Sequence, residues 1–491
     1  MVKILKHKYW LIPLVFFFLL RLPSLFEPYW YGDEGIYLTL GQGIRKGLTL
    51  YSQIYDNKPP LLYYLAAFGR SVFGFRLLLL IWMIPTIYAF FKLANKFFSK
   101  HLSYFATLIF LFITSIPLIE GNIANAEIFM LLPTILGIFY FYKATTVWQY
   151  FLASLFLGIA FTIKFPVIFE FIFIIAFLFL KKFNLFSEFS LKRLIKVLPS
   201  FSLDLFVMLS GFILPILLWA AYFASKSTFL PFLSAALLRN FSYVSSWSTG
   251  NQQSSFMAGG LMLRGLLFLA AFISVYFLVL KKLIDTKLAF LLFWFATSIF
   301  AATISGRPYP HYLIQILPPL CLLLLYFFSH KEKFVGLSIG LSLFFLTLTI
   351  VRLNFYFYPV LDYYTNFYSY AFHLDSKDKY LASFGSDINN SYKLAQYIKN
   401  NSSPQDKIFI WSDNSNIYAL SDRLPASRFI VAYHVIDFGS FEDTANQLKA
   451  NLPKFIIYSS VNQPFTQLDK FINHYYFISQ VYDQTILFQL R

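Results

Sequence analysis

Charge is scarce in this chain. Of its 491 residues, 13% are Asp, Glu, Lys or Arg, about half the ~25% usual in soluble globular proteins. With 58% of residues hydrophobic, a water-solvated core cannot hide the apolar surface, so bilayer has to cover much of it. Cysteine is nearly absent. Cys321 stands alone inside an apolar run, which excludes an intrachain disulfide and any cysteine-based metal site. Acid is the rarer sign, with 23 Asp and Glu against 40 Lys and Arg. A net charge of +17 would suit nucleic acid as a partner, but its distribution excludes that reading. The bases sit in short clusters between apolar runs, such as Lys3, Lys6 and Lys8, or Lys181, Lys182, Lys192, Arg193 and Lys196. That is a topology signal rather than a groove-binding face. No Gly-rich phosphate loop follows a candidate strand, so no nucleotide site is read.

What the chain has in abundance is apolar runs. A spanning helix needs roughly 20 apolar residues, and about eleven candidate runs are present. They fall near 9–26, 76–93, 103–119, 127–142, 148–164, 166–180, 201–223, 259–280, 288–304, 312–329 and 334–353. The first follows a basic stretch, but Arg21, Leu22 and Pro23 stand where a small-residue cleavage site belongs, so it reads as a retained anchor. With the N-terminus in the cytoplasm, the basic clusters all fall inside, as the bias of Lys and Arg in short loops requires. An odd span count then puts the tail outside. The expectation is a mostly α, multi-pass protein of the plasma (inner) membrane. Its membrane module is 1–353 with a first outer loop at 27–75, and 354–491 form an extracytoplasmic α/β domain. The tail's β-branched and aromatic runs at 407–412, 428–433, 454–460 and 485–490 predict strands. The patterns at 387–400, 441–451 and 465–471 predict helices. The Ser-, Tyr- and Trp-rich segment 224–258 predicts a further outer loop, which suits covering a site or contacting a sugar and equally suits an ordinary interfacial loop.

The candidate chemistry lies in the outer loops. Asp33 and Glu34 follow an aromatic collar of Tyr29, Trp30 and Tyr31. Adjacent carboxylates on a helix face different partners, so one can face a reaction centre while the other anchors the loop. Lys58 precedes Pro59 and Pro60, which hold its backbone extended. An ammonium fixed there suits a lipid phosphate, and it equally suits a lysine snorkelling at the interface. Glu120 and Glu127 flank the next short outer loop. Glu127 fits either a second acid of a site or an ordinary acid at a helix start. Arg307, His311 and Tyr312 in SGRPYPHYLIQILPP are candidate substrate contacts, Arg for phosphate oxygens and His for a hydroxyl or phosphate. Glu170 and Asp204 lie in or near apolar spans with no evident partner.

Together YGDEGIY, YDNKPPLLYY, the acid of NAEIFMLLP and RPYPHYLIQILPP resemble, in that order, bacterial membrane glycosyltransferases of the GT-C superfamily. The likeness is to the protein-mannosyltransferase and aminoarabinose-transferase-like group and covers the membrane module. It implies an inverting transfer of a sugar from a polyprenyl-phosphate donor, on the outer leaflet, to a hydroxyl of a lipid, glycan or protein acceptor. It makes Asp33 the first-loop catalytic acid, with Glu34 beside it, Glu127 the second-loop acid and Lys58 the contact to the lipid phosphate. Some members of the group bind a divalent metal such as Mg or Mn near these acids and others do without, so Asp33 and Glu127 are the candidate ligands. Aminoarabinose transferases carry a basic residue three positions after the first-loop Asp, where this chain has Ile36. Phosphate binding would then lean on Lys58 and Arg307. A phosphate leaving group needs no general acid, so paired-carboxylate glycosidase geometry is not required. The alternative is a lipid or sugar transporter or flippase. It predicts intramembrane ion pairs, broken helices or an internal repeat, and the sequence carries no convincing repeat.

Overall fold

The computed structural model describes residues 2–187, 190–240, 260–459 and 463–491, with side chains from residue 12 onward. Of the outer loop expected at 224–258 to cover a site, residues 241–258 lie outside the described residues, and the part before them is largely helical, at Phe229–Phe232 and Leu233–Leu238. Each of the apolar runs is helical: Val2–Arg21, Val72–Ala94, Lys100–Ile113, Ala126–Phe129 leading into Leu131–Tyr142, Val147–Phe161, Ile168–Lys182, Leu191–Ser225, Leu261–Leu280, Thr286–Thr303, Pro310–Ile316 leading into Leu317–Ser329, and Lys333–Arg352. Among the described residues six helical stretches are long and apolar enough to cross a membrane, and the protein is a multi-pass membrane protein.

The chain divides into two compact units. The first comprises Met1–Arg21, Leu79–Trp219 and Arg239–Val360, and the second Leu22–Leu78, Ala220–Leu238 and Leu361–Arg491.

The first unit is helical. Helix Thr286–Thr303 runs through its core. Around Phe290 the rings of Phe97, Phe141, Phe173 and Phe177 pack at centroid distances of 6.1, 6.3, 5.0 and 4.9 Å. Other helices turn apolar side chains outward, as Leu203, Phe206, Leu217 and Leu218 do on Leu191–Ser225, and Leu263, Leu266, Leu269 and Phe277 on Leu261–Leu280. Those are surfaces for lipid tails, because apolar area on that scale is unfavourable in water. Small residues allow close helix approach. A Cβ on Gly158 would stand 2.3 Å from the Phe212 carbonyl oxygen, and one on Gly211 2.6 Å from that of Phe151. Arg21, at the end of the first helix, is buried and donates to the carbonyls of Thr114 and Gly121, both at 2.6 Å.

The two acids for which the sequence offered no partner have one. Asp204 pairs with Lys182. Glu170 accepts from the Gln315 amide at 2.7 and 3.0 Å, and Ser298 lies 3.5 Å away. Neither pairing shows in the sequence because the partners lie on different helices.

The second unit joins the first loop to the tail. Its sheet contains β1 (Lys407–Trp411), β2 (Leu424–Pro425), β3 (Phe455–Ser459), β4 (Tyr476–Tyr482) and β5 (Thr485–Leu490), in the order β2-β1-β3-β5-β4. β2, β1 and β3 are parallel, and β5 runs antiparallel to both β3 and β4. The run 428–433 is not a strand of this sheet. The ladder with β1 pairs no residue beyond Pro425: Ala426 N–H still donates to the Ile408 carbonyl at 2.9 Å, but the next β1 donor, the Ile410 N–H, goes to the Tyr418 hydroxyl at 3.0 Å. Further on, Phe429 instead makes an isolated parallel bridge to Tyr55, with Tyr55 N donating to the Arg428 carbonyl at 2.9 Å. From Ala432 the chain is helical to Asp437. β4 escapes the sequence pattern because it is a mostly exposed edge strand with an irregular register at Ile478 and Gln480.

Candidate functional site

The first loop enters a helix, Gly32–Arg45, with both acids in its first turn and Arg45 in its last. Those signs complement the helix dipole. Every residue from Glu34 to Gly43 is buried, so this helix is a core element of its unit rather than a surface one. Gly41 permits its close crossing with helix Leu61–Gly69, where a Cβ would lie 2.6 Å from the Ala67 backbone nitrogen. Toward the tail, Thr39 donates to the Ser415 carbonyl at 3.1 Å, the Gln42 amide donates to Asp422 at 2.9 Å, and Lys46 pairs with Asp422 at 2.8 Å.

The adjacent acids separate completely. Glu34 receives two hydrogen bonds from Arg76, Nε to Oε1 at 2.8 Å and Nη2 to Oε2 at 2.6 Å. Arg76 also reaches Glu27 at 2.6 Å and the Ser24 carbonyl at 3.1 Å. All three charged side chains are fully buried. Glu27 additionally accepts from Trp30 and Tyr363, each at 2.6 Å. Such a network fixes the loop because breaking any member strands a buried charge.

Asp33 faces the other way. Its Oδ2 accepts from the Tyr37 hydroxyl at 2.8 Å and lies 3.5 Å from Lys58 Nζ. The Asp33 and Lys58 side chains remain 27% and 19% exposed, so both are reachable where Glu34 is not. Lys58 Nζ also sits 5.0 Å from the centroid of the Tyr37 ring and 3.8 Å from Asp56 Oδ2. Asp56 is buried among donors: the Tyr63 hydroxyl at 2.8 Å, its neighbour Asn57 N–H at 2.7 Å, and His434 Nε2 at 3.4 Å. Burial alone would raise the Asp56 carboxyl. The Lys58 ammonium, then His434 and the Tyr63 hydroxyl, outweigh it and hold Asp56 well below the usual carboxylate range. The Lys58 backbone is pinned on both sides, its carbonyl by the Tyr51 hydroxyl at 2.8 Å and its N–H by Tyr63 Oη at 3.1 Å.

The helical unit holds a second cluster. Glu120 occupies the left-handed region (φ 63°) just after Pro117–Ile119, a conformation uncommon for a residue with a side chain. Its Oε2 meets His311 Nδ1. His311 Nε2 lies 3.7 Å from Glu127 Oε1, which also pairs with Lys164. Lys164 Nζ stands 4.7 Å from the centroid of the Tyr312 ring, and Tyr309 stacks on His311 at 5.6 Å. Glu120, Glu127 and His311 are buried. Arg307 lies in the loop four residues before His311, half-buried, following Gly306 at φ +71°.

The structure thus joins Asp33 to Lys58 in one unit and Glu127 to His311 and Tyr312 in the other. Sequence reasoning missed Asp56, Tyr37, Tyr63 and Arg76 around the first, and Lys164 at the second. Asp56 and Tyr37 carried a signal, the acid two residues before Lys58 and the aromatic one helical turn after Asp33. His434 carried none. As metal ligands the two candidate acids fit poorly. Asp33 faces an ammonium and a phenol, Glu127 an ammonium and an imidazole, whereas Mg or Mn wants several oxygens around it. Among the described residues no group of three or more His, Cys, Asp or Glu could hold an ion.

A helical membrane module with a C-terminal domain holding a small sheet is the polytopic GT-C architecture. The aminoarabinose transferase ArnT from Cupriavidus metallidurans, solved bound to undecaprenyl phosphate, shares it. The match covers 98% of each chain at 13% identity with a TM-score of 0.56, and the apo form of the same protein gives 0.55. The archaeal oligosaccharyltransferase AglB from Archaeoglobus fulgidus, in complex with an inhibitory peptide and a dolichol-phosphate, aligns over 92% of this chain and 69% of its own. Its identity is 14% and its TM-score 0.46, too loose to carry an argument. Residues 389–490 match the family described as "Putative competence-induced protein Ccs4 C-terminal domain". No curated protein sequence matches the chain significantly. At these identities the likeness to ArnT is one of fold.

Proposed function

We propose that this protein is an inverting glycosyltransferase that moves a sugar from a polyprenyl-phosphate donor to an acceptor hydroxyl at the outer membrane face. The observation that carries the reading is the reachable Asp33–Lys58 pair, a carboxylate and an ammonium 3.5 Å apart beside a buried, structurally committed Glu34. The shared fold of ArnT, a structure that holds undecaprenyl phosphate, supports the donor class. Asp33 takes the proton from the acceptor hydroxyl as its oxygen forms the new bond to the anomeric carbon. The bond from that carbon to the phosphate oxygen breaks on the opposite face, and the phosphate leaves with the electron pair. Lys58 stabilises the charge that develops on it. The Glu34–Arg76–Glu27 network holds the helix start, and so Asp33, in place. Glu127, with Lys164 and His311, and the Arg307–Tyr312 segment are further candidate contacts for donor or acceptor.

The test is transfer by purified protein from a panel of polyprenyl-phosphate sugars, read as released polyprenyl phosphate. Asp33→Asn lowers turnover at least about a hundredfold while the folded protein still binds undecaprenyl phosphate. Normal transfer by that variant would overturn the assignment.

A further inference from the structure

One ammonium between two carboxylates is a poor receptor for an anion. Lys58 stands 3.5 Å from Asp33 and 3.8 Å from Asp56, and an arriving phosphate meets net negative charge unless one acid is compensated from elsewhere. Asp33 is partly exposed and screened by solvent. Asp56 is only 1% exposed and has to be satisfied by protein groups.

Those groups come from two stretches of chain far apart in sequence. Tyr63 and the Asn57 N–H belong to the first loop. The third is His434, in the short helix Ala432–Asp437 of the tail, which turns Nε2 to Asp56 Oδ1 at 3.4 Å. His434 is itself buried, walled by Tyr55 and Phe438 with ring centroids 5.7 and 5.6 Å away. The bridge between Tyr55 and Phe429 fixes the backbone on which it arrives.

We propose that His434 is a positioning residue for phosphate binding: by satisfying Asp56 it leaves the Lys58 ammonium available to the lipid phosphate. The C-terminal domain thereby supplies a side chain on which the cation of the first loop depends. This deepens the reading of Lys58 as the phosphate contact and rests on it.

His434→Leu retains bulk against Tyr55 and Phe438 and removes the donor. Its uncompensated Asp56 draws Lys58 in. Two readouts follow on the full-length protein, with folding checked by thermal unfolding: the rate at which an amine-reactive probe labels Lys58, mapped by mass spectrometry, and affinity for undecaprenyl phosphate. Both should fall about tenfold, one pKa unit's worth of differential interaction. His434→Gln, which keeps an N–H donor, should retain more of each than His434→Leu. Adding Asp56→Asn to His434→Leu should restore both, because no buried charge is left to compensate. A merely structural role for His434 predicts no such rescue. Unchanged Lys58 labelling in His434→Leu, or labelling that Asp56→Asn fails to restore, overturns the proposal. Lys58→Ala separates it from the reading beneath. If that variant binds undecaprenyl phosphate normally, the phosphate role of Lys58 fails, while the labelling rates still decide the link from His434 to Lys58.

Discussion

Asp33 and Glu34 are chemically near-equivalent neighbours, and their surroundings give them different work. Glu34, Glu27 and Arg76 form a fully buried set, so removing the cation leaves two desolvated carboxylates. Arg76→Ala is expected to cost about 3–5 kcal/mol, measurable as lost thermal stability in detergent, and adding Glu34→Gln should recover part of it. Asp56 gives a pH signature. Its carboxyl is held below the ordinary range, so the native state binds the proton less readily than the unfolded chain. Its stabilising contribution is complete above the unfolded value of about 4 and is lost as pH falls further. The stability difference between wild type and Asp56→Asn should be flat at neutral pH and shrink below about pH 4, as thermal unfolding across pH would show. At this scale Asp33 and Lys58 were legible, since an acid pair and a KPP after an apolar run are local signals. The His434 contact to Asp56 was not, because nothing in either residue's neighbourhood specifies the other.

Between elements the decisive contacts are close crossings. Helix Gly32–Arg45 carries Asp33, and helix Leu61–Gly69 follows Lys58 directly, so their crossing sets the distance between the two groups. Gly41→Ala pushes a methyl to within 2.6 Å of backbone. It should cost about 1–3 kcal/mol and lower transfer along with stability. Gly32→Ala is the control, because a Cβ there meets nothing within 4 Å. A stability loss for Gly32→Ala equal to that of Gly41→Ala would show that crowding is not the cause. Helix positions were legible from apolar runs and strands mostly from β-branched ones. The run at 428–433 misled because Phe429, Ile430 and Val431 are buried without a ladder, their backbone making a single bridge to Tyr55, and strand propensity does not name the partner.

On the scale of the whole molecule, the arrangement of basic clusters predicts that the tail is extracytoplasmic. The single native thiol, Cys321, is buried, so a cysteine introduced at the exposed Ser403 can be labelled over a low background. Ser403→Cys should react with a membrane-impermeant maleimide on intact cells. Reaction only after lysis would invert the topology and move the proposed chemistry to the other leaflet. The compact units join segments that are distant in sequence, so truncating the tail should also destabilise the first loop it packs against.

By itself the sequence determined that this chain is helical and membrane-embedded, where its helices run, and that Asp33 and Lys58 lie on one loop after the first apolar run. Each of those follows from composition, periodicity or residues close along the chain, while the proposed roles of Asp33 and Lys58 come from the resemblance. Only the tertiary structure decided that Glu34 is committed to Arg76, that Glu127 meets Lys164 and His311, and that a histidine of the tail satisfies the acid beside Lys58. Those are choices among distant partners, made by packing and by the cost of leaving a buried charge alone, and no local pattern encodes them.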